Sequence, residues 1–263
     1  MRQRTWLAWV LCGLLAVVMV LLLNVGSGVA QEEAEKPQLE LWQYRGIMAA
    51  MADQDPLVWG EALDKLSKFD LEALTDETAI SSKTYQQIVN ILDKALYPSE
   101  TRSAAARALG AMGDAAAAQA QKLFTLIENP DEDSNVRFAA AYALGAMGDA
   151  AATQAPKLVA LIENPDEDSN ARSNAARALG AMGDAAAAQA PKLFTLIENP
   201  DEDSNVRFAA AYALGAMGDA AAAQAPKLVA LIENPDEDSN ARSNAARALG
   251  AMGDAAAAQA PKL

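Results

Sequence analysis

ENPDEDSNVRFAAAYALGAMGDAA occupies residues 128–151, and the same 24 letters return unchanged at residues 198–221. The phrase LGAMGD inside it appears five times, at 109–114, 144–149, 179–184, 214–219 and 249–254, always 35 residues apart. A slower rhythm lies on top: residues 122–191 and 192–261 differ at one position in seventy, Thr153 against Ala223. The unit is therefore 35 residues and the copied block is two units in tandem. A period of this size overrides the one or two globular domains that 263 residues would otherwise suggest.

Within a unit the periodicity is helical. Val136, Ala139, Ala140, Ala143, Leu144 and Met147 fall at i, i+3, i+4, i+7, i+8 and i+11, one apolar stripe rather than the alternation of a strand. Ser134 or Asp133 precedes the stripe as an N-cap, and Gly148 follows it in a position to turn left-handed and close the helix. Gly145 sits inside the helix, where it costs up to about 1 kcal/mol relative to alanine; close approach of a neighbouring helix is expected to repay that. Asp149 is expected to cap a second stretch, AAATQAPKLVALIE, with the stripe Ala151, Ala155, Leu158, Leu161 and Ile162. Pro156 should kink that stretch or start its main helix afresh, and Gln121, at the same place in the first unit, should weaken the break. Asn164-Pro165 ends the stretch and DEDSN turns into the next unit.

Two amphipathic helices per 35 residues cannot bury their apolar faces alone, so the units must stack. The pattern NPDEDSNVRFAAAYALGAMGDAAA, with Asp before the helix, Val-Arg at its start, Ala-Ala next and Leu-Gly near its end, resembles a bacterial HEAT repeat. In particular it is similar to the HEAT-like repeats of the phycobilin-lyase type. The resemblance covers residues 99–263 and implies an all-α solenoid of stacked helix pairs, a fold that mostly serves as a binding scaffold. Some scaffolds of this class are iron-dependent hydroxylases that hold metal with His-Glu pairs; this chain has no histidine, so that activity does not carry over.

Residues 31–98 are not copied. LELWQYRGIMAAMA (39–52), PLVWGEALDKLSKF (56–69) and SSKTYQQIVNILDKALY (81–97) each have helical spacing. They are expected to form a degenerate first repeat and an N-terminal cap, with a loop over about residues 70–81 and with Trp42 and Trp59 in the cap core. At the other end the fifth repeat stops at Leu263, inside its second helix and without a polar capping unit, which reads as a piece of a longer array.

The first thirty residues carry Arg2 and Arg4, no charge across residues 6–23, and Gly28-Val29-Ala30 before Gln31. Two readings stand: a signal peptide cleaved after Ala30, or an uncleaved N-terminal membrane anchor through residues 6–23. Both place the rest of the chain outside the cytoplasm, periplasmic or secreted. Cys12 is the only cysteine and leaves with a cleaved segment, so no disulfide is available. The net charge is −14, and −16 once Arg2 and Arg4 are gone. Such acidity excludes nucleic acid and anionic lipid surfaces as partners.

Enzymatic chemistry finds little support. Without histidine or an exported cysteine, His-assisted nucleophiles and His-bearing metal sites are unavailable, and no cofactor is implied. The acid triplets Asp131-Glu132-Asp133, Asp166-Glu167-Asp168, Asp201-Glu202-Asp203 and Asp236-Glu237-Asp238 open like a calcium loop. They lack its glycine and its closing bidentate glutamate, and helix capping accounts for them without a metal. Arg102, Arg137, Arg172, Arg207 and Arg242 recur once per unit and are expected to form a structural ladder with Asp114, Asp149, Asp184 and Asp219, for instance Asp149 with Arg172.

The functional lead is a difference between alternate units. Phe138 and Tyr142, and again Phe208 and Tyr212, stand where the other units carry Ser103 and Arg107, Ser173 and Arg177, Ser243 and Arg247. On a wheel of 100° per residue these positions point away from the buried stripe. Exposed aromatics and arginines are the types enriched at binding hot spots. Columns of Gln119, Gln154, Gln189 and Gln224, and of Lys122, Lys157, Lys192 and Lys227, offer a second, polar face. The expected function is a non-catalytic protein-interaction scaffold; a structural spacer and a calcium-dependent adhesion module are the alternatives.

Overall fold

The computed structural model describes residues 40–69, 71 and 80–262, without the side chains of 259–262. The N-terminal segment 1–30, nearly all of the expected loop and Leu263 lie outside the described residues. Those described belong to a compact unit spanning Lys36–Leu263. They are all-α, with no strand among them.

The first helices of successive units form one row: α2 (Pro56–Leu66), α4 (Ser99–Ala111), α6 (Ser134–Ala146), α8 (Ser169–Ala181), α10 (Ser204–Met217) and α12 (Ser239–Met252). Each packs on the next, and the second helices α3 (Ser82–Asp93), α5 (Ala120–Glu128), α7 (Ala155–Glu163), α9 (Ala190–Glu198) and α11 (Ala225–Glu233) lie against them. Helix α1 (Leu41–Met51) packs on α2. The three elements expected in the unrepeated N-terminal part are thus α1, α2 and α3. The solenoid of helix pairs follows directly from the 35-residue period.

Local chemistry builds each unit. The N-cap is Asp133, whose Oδ1 accepts from the Asn135 amide at 2.8 Å; Asp168, Asp203 and Asp238 cap their helices in the same way. Asn129, Asn164, Asn199 and Asn234 each accept the amide two residues on, tightening the turn. The first helix ends at glycine in the left-handed region, Gly113, Gly148, Gly183, Gly218 and Gly253, with φ between 49° and 55°. Such a φ is costly for a residue with a Cβ.

In the second stretch the main helix starts afresh at the proline, one of the two outcomes expected. After Gly148 the chain runs as a 3-10 helix to Gln154, and the α-helix begins at Ala155 with Pro156 in its first turn, where no amide is needed. Gln121 does not weaken this break: the first unit also runs 3-10 from Gly113 to Gln119 and starts α5 at Ala120. The glycine and the 3-10 turn set the break, and the proline is merely accommodated. Nor does Asp149 cap. The Ala150 amide already donates to the Met147 carbonyl at 3.0 Å, and Asp149 stays exposed without a cap bond.

The expected stripes are buried: Val136, Ala139, Ala140, Ala143, Leu144 and Met147 from the first helix, Ala151, Ala155, Leu158, Leu161 and Ile162 from the second. Small residues let the first helices close up. A Cβ built on Gly110 or Gly180 would lie 2.6 or 2.7 Å from the Cα of Ala143 or Ala213, and on Gly145 or Gly215 2.4 Å from the Cβ of Ala181 or Ala251. The mid-helix glycines are therefore required by packing. Among second helices long side chains bridge the gaps instead, with Lys157 and Lys227 over the rings of Phe124 and Phe194 at 5.9 and 5.6 Å.

In the unrepeated part Trp59 packs inward, edge-on to Tyr97 with its indole N–H donating to the Asp53 carbonyl at 2.8 Å. Trp42 does not. It is 71% exposed, because α1 buries Ile47 and Met51 and residue 42 falls about 140° around the helix from Ile47. Trp42 instead borders an apolar groove of about 430 Å³ with Ile47, Val58 and Phe69. No helix among the described residues is long and apolar enough to cross a membrane.

Candidate interaction surface

The arginine of each unit begins the surface, because it fixes one unit on the next. Its Nε donates to the last-turn carbonyl of the preceding second helix: Arg102 to Leu92, Arg137 to Ile127, Arg172 to Ile162, Arg207 to Ile197 and Arg242 to Ile232, at 2.7–3.1 Å. These carbonyls have no partner within their helix, so the guanidinium closes the helix end. Its outer nitrogens then reach forward to the acidic turn of the following unit. Arg102 forks onto Glu132 at 2.5 and 2.6 Å, and Arg172 reaches Glu202 at 2.6 Å. Arg137 and Arg207 use the N-cap aspartates instead, Asp168 at 2.6 Å and Asp238 at 2.9 Å.

A ladder exists, but its rungs are not the expected ones. Arg172 pairs with Glu202 and not Asp149, and no ion pair among the described residues involves Asp114, Asp149, Asp184 or Asp219, all exposed at the start of their 3-10 turns. With its Nε tied to the preceding helix end, the guanidinium faces the next acidic turn. Arg102, Arg137, Arg172 and Arg207 are buried, while Arg242 is exposed and makes no ion pair among the described residues. Burial works to raise the Asp168 carboxyl, but the Asn170 amide and the Arg137 guanidinium outweigh it and hold the group below its ordinary 3.8. The Ala241 amide, and behind it Arg207, hold Asp238 down likewise.

The same turns bear on calcium. Their aspartates cap helices, Glu132 and Glu202 hold arginines, and among the described residues no three Asp, Glu, Cys or His side chains converge.

On the outward side of the first-helix row stand Phe138 and Tyr142, 50% and 51% exposed, and Phe208 and Tyr212, 37% and 51% exposed. Each pair is one helical turn apart, and α6 and α10 are two helix spacings apart, about 20 Å. Arg177 on α8 lies between them, half-buried and without an ion pair among the described residues. Arg247 on α12 sits with its guanidinium 4.8 Å over the Phe208 ring. Arg107 belongs elsewhere: it pairs with Asp64 of α2 at 3.3 Å. The Asp64 carboxyl is held low first by a hydrogen bond from Lys68, which outweighs burial, and then by Arg107.

The second-helix columns are internally engaged. Lys122 pairs with Asp93 at 2.6 Å and Lys192 with Glu163 at 3.3 Å, while Lys157 binds Gln121 and Gln154. Gln154 and Gln224 are buried. The outward aromatic row, by contrast, has few partners of its own.

Comparison with known proteins bears on this geometry. A family model described as HEAT repeats matches residues 85–168 and 155–236. Among solved structures, the complex of CpcE and CpcF of phycocyanin lyase from Nostoc sp. PCC7120 is 27% identical, covers 88% of this chain and 84% of the other, and superposes with a TM-score of 0.50. A mutant of Kap121p is 15% identical over 84% of this chain and 26% of the other, also at 0.50, a likeness of fold alone. A search of curated protein sequences finds no match.

Proposed function

Because the chain belongs to the HEAT repeat family, we propose that it is a non-catalytic protein-interaction scaffold that grips its partner on the outward face of α6, α8 and α10. One observation carries this reading: four of the large apolar side chains left exposed are the two aromatic pairs, on helices whose other outward positions are small or polar. Amphipathic rings beside an unpaired arginine are what binding hot spots are made of. Near-identity of the two 70-residue blocks presents the same aromatic pair twice, so a partner with two matching segments gains by avidity. The Nostoc neighbour, itself a complex of two chains, supports a partner-binding role for such an array. The absence of histidine and the engagement of the turn carboxylates as caps and arginine partners support a non-catalytic one.

The proposal includes export, supported by Arg2, Arg4 and the uncharged run 6–23; N-terminal sequencing of the mature protein tests it, and Gln31 as first residue would establish cleavage. The binding face is tested by affinity capture from the extracytoplasmic fraction, with the wild type and a variant carrying Phe138, Tyr142, Phe208 and Tyr212 all changed to Ser. Circular dichroism first shows that the variant folds, as expected for side chains outside the core. A partner retained by the wild type and lost by the variant supports the face. Equal capture by both moves the site elsewhere and refutes it.

A further inference from the structure

The aromatic face repeats along the stack as well as along each helix. In steps of 35 residues, Tyr142 of α6, Arg177 of α8 and Tyr212 of α10 occupy equivalent positions, and so do Phe138, Ser173 and Phe208 one helical turn away. Two rows about 5–6 Å apart therefore cross three helices. Each step along a row is one helix spacing, about 8–10 Å. Arg177 stands at the centre of the tyrosine row. Its counterparts are engaged: Arg107 takes the Asp64 carboxylate at 3.3 Å, and Arg247 lies 4.8 Å over the Phe208 ring. Arg177 is half-buried and has neither kind of contact among the described residues. Helices α6, α8 and α10 contain no Asp or Glu, although the chain has 35 of them and a net charge of −14. The face is thus an acid-free strip in an acidic molecule, with a guanidinium at its middle.

Resting on the reading of this face as the partner-binding one, we propose that its ligand is a polyproline-II segment with a carboxylate at its centre, of pattern Pro-x-x-Glu-x-x-Pro or the same with Asp. The spacing selects the conformation. A polyproline-II chain has three residues per turn and rises about 3.1 Å per residue, so positions i, i+3 and i+6 share one edge at steps of about 9.3 Å. That matches ring, guanidinium and ring on three successive helices. A β-strand returns to one face every 6.6 Å or about that, and falls out of step at the first interval. An α-helix read at every seventh residue keeps step at about 10.5 Å, but it is about 10–12 Å across. It would straddle both rows and rest on the rings, above the half-buried Arg177. The slimmer chain lies between the rows, its prolines against Tyr142 and Tyr212 and its carboxylate on Arg177. Aromatic grooves are the usual docking site of such segments, and the tyrosine hydroxyls can donate to carbonyls that have no partner within the segment. Where a carboxylate is offered from across the row, this arginine position takes it, as Arg107 takes Asp64.

The test is fluorescence anisotropy of three labelled peptides, PPPEPPP, PPPKPPP and PGGEGGP, titrated with the full chain in mild detergent at physiological salt. PPPEPPP is expected to bind at least about tenfold tighter than either of the others. The second peptide reverses the charge, and the third keeps the three contact residues but loses the preformed conformation. Arg177→Glu, shown to fold by circular dichroism, is expected to reverse the preference between PPPEPPP and PPPKPPP. The variant with Phe138, Tyr142, Phe208 and Tyr212 changed to Ser is expected to bind neither. Equal affinity for PPPEPPP and PPPKPPP, or a preference that Arg177→Glu leaves unchanged, overturns the proposal through its carboxylate. Equal affinity for PGGEGGP overturns it through its conformation, and PPPEPPP binding that survives the four serines overturns it by lying on another surface. Binding of no peptide overturns it as well. In that case the capture experiment separates the two readings: a partner lost by the four-serine variant leaves the face standing without this ligand, whereas equal capture removes the face itself.

Discussion

Replacing Gly180 by alanine and Gly250 by alanine is the same chemical change at the same place in two nearly identical units, and the two should have opposite signs. Alanine favours a helix over glycine by up to about 1 kcal/mol, through lower backbone freedom in the unfolded chain. At Gly250 nothing opposes this, and the variant should be more stable by about 0.5–1 kcal/mol. At Gly180 the new methyl would sit 2.7 Å from the Ala213 Cα, 3.1 Å from its Cβ and 3.1 Å from its carbonyl oxygen. Carbon contacts are optimal at about 3.5–4.0 Å, so α8 and α10 must separate by close to an ångström along much of their contact. Two of the three contacted atoms are backbone, so no rotamer change relieves the clash. Overpacking of this kind costs about 1–3 kcal/mol, and the net effect after the helix gain is a loss of about 1–2 kcal/mol. Urea denaturation followed by circular dichroism at low protein concentration reads both midpoints. Gly110→Ala serves as a second copy of the experiment, because its Cβ would meet Ala143 in the same way. Should Gly180→Ala match or exceed the wild type, the idea that these glycines exist for helix approach would be wrong.

Other outcomes follow from the arginine ladder and the turns. Arg172→Met strands the largely covered Glu202 carboxylate and the Ile162 carbonyl and should cost about 3 kcal/mol, whereas Arg242→Met, with no ion pair among the described residues to break, should cost under about 1 kcal/mol by the same denaturation. Asp168 and Asp238 are held below 3.8 in the fold, so their contribution is complete above that value and is lost as the pH falls through their lower folded values. Urea midpoints should therefore be flat above about pH 5 and fall below about pH 4, less steeply in Asp168→Asn; a midpoint that rises on acidification would contradict the sign. Gln121→Pro should stay within about 1 kcal/mol of the wild type, while Leu126→Pro in the body of α5 should lose about 3 kcal/mol or more, as read from thermal melts.

The parts legible in the sequence are those whose signal is local. The stripe from Val136 to Met147, the glycine after it and the Asp133 cap depend on spacing within one helix, and the structure has each where the spacing puts it. The outward direction of Phe138 and Tyr142 was legible for the same reason. The arginine partner was not, since Asp149 and Glu202 both recur at constant offsets from Arg172. Only the carbonyl that ties down its Nε, ten residues back on another helix, decides which acid the guanidinium faces. The fresh helix start at Pro156 was legible, but its independence of the proline was not: Gln121 stands there in the first unit, and the backbone turn begun by the glycine is common to all units. Trp42 carries no periodic partner, so nothing in its neighbourhood could show that α1 turns it outward.

The junctions between units come in two kinds. From odd to even unit the arginine takes a glutamate and a glycine faces backbone; from even to odd it takes the N-cap aspartate and a glycine faces a methyl. Bulk alternates as well, with Phe124 and Phe194 in the second helices of odd units and Val159 and Val229 in those of even ones. In the language of editing, the array has a two-letter alphabet and a strict alternation rule. Excising 70 residues rejoins letters that already meet elsewhere in the chain, whereas excising 35 forces a pairing found at none of its junctions. Units can therefore be cut from or inserted into the interior of such an array freely only in even steps.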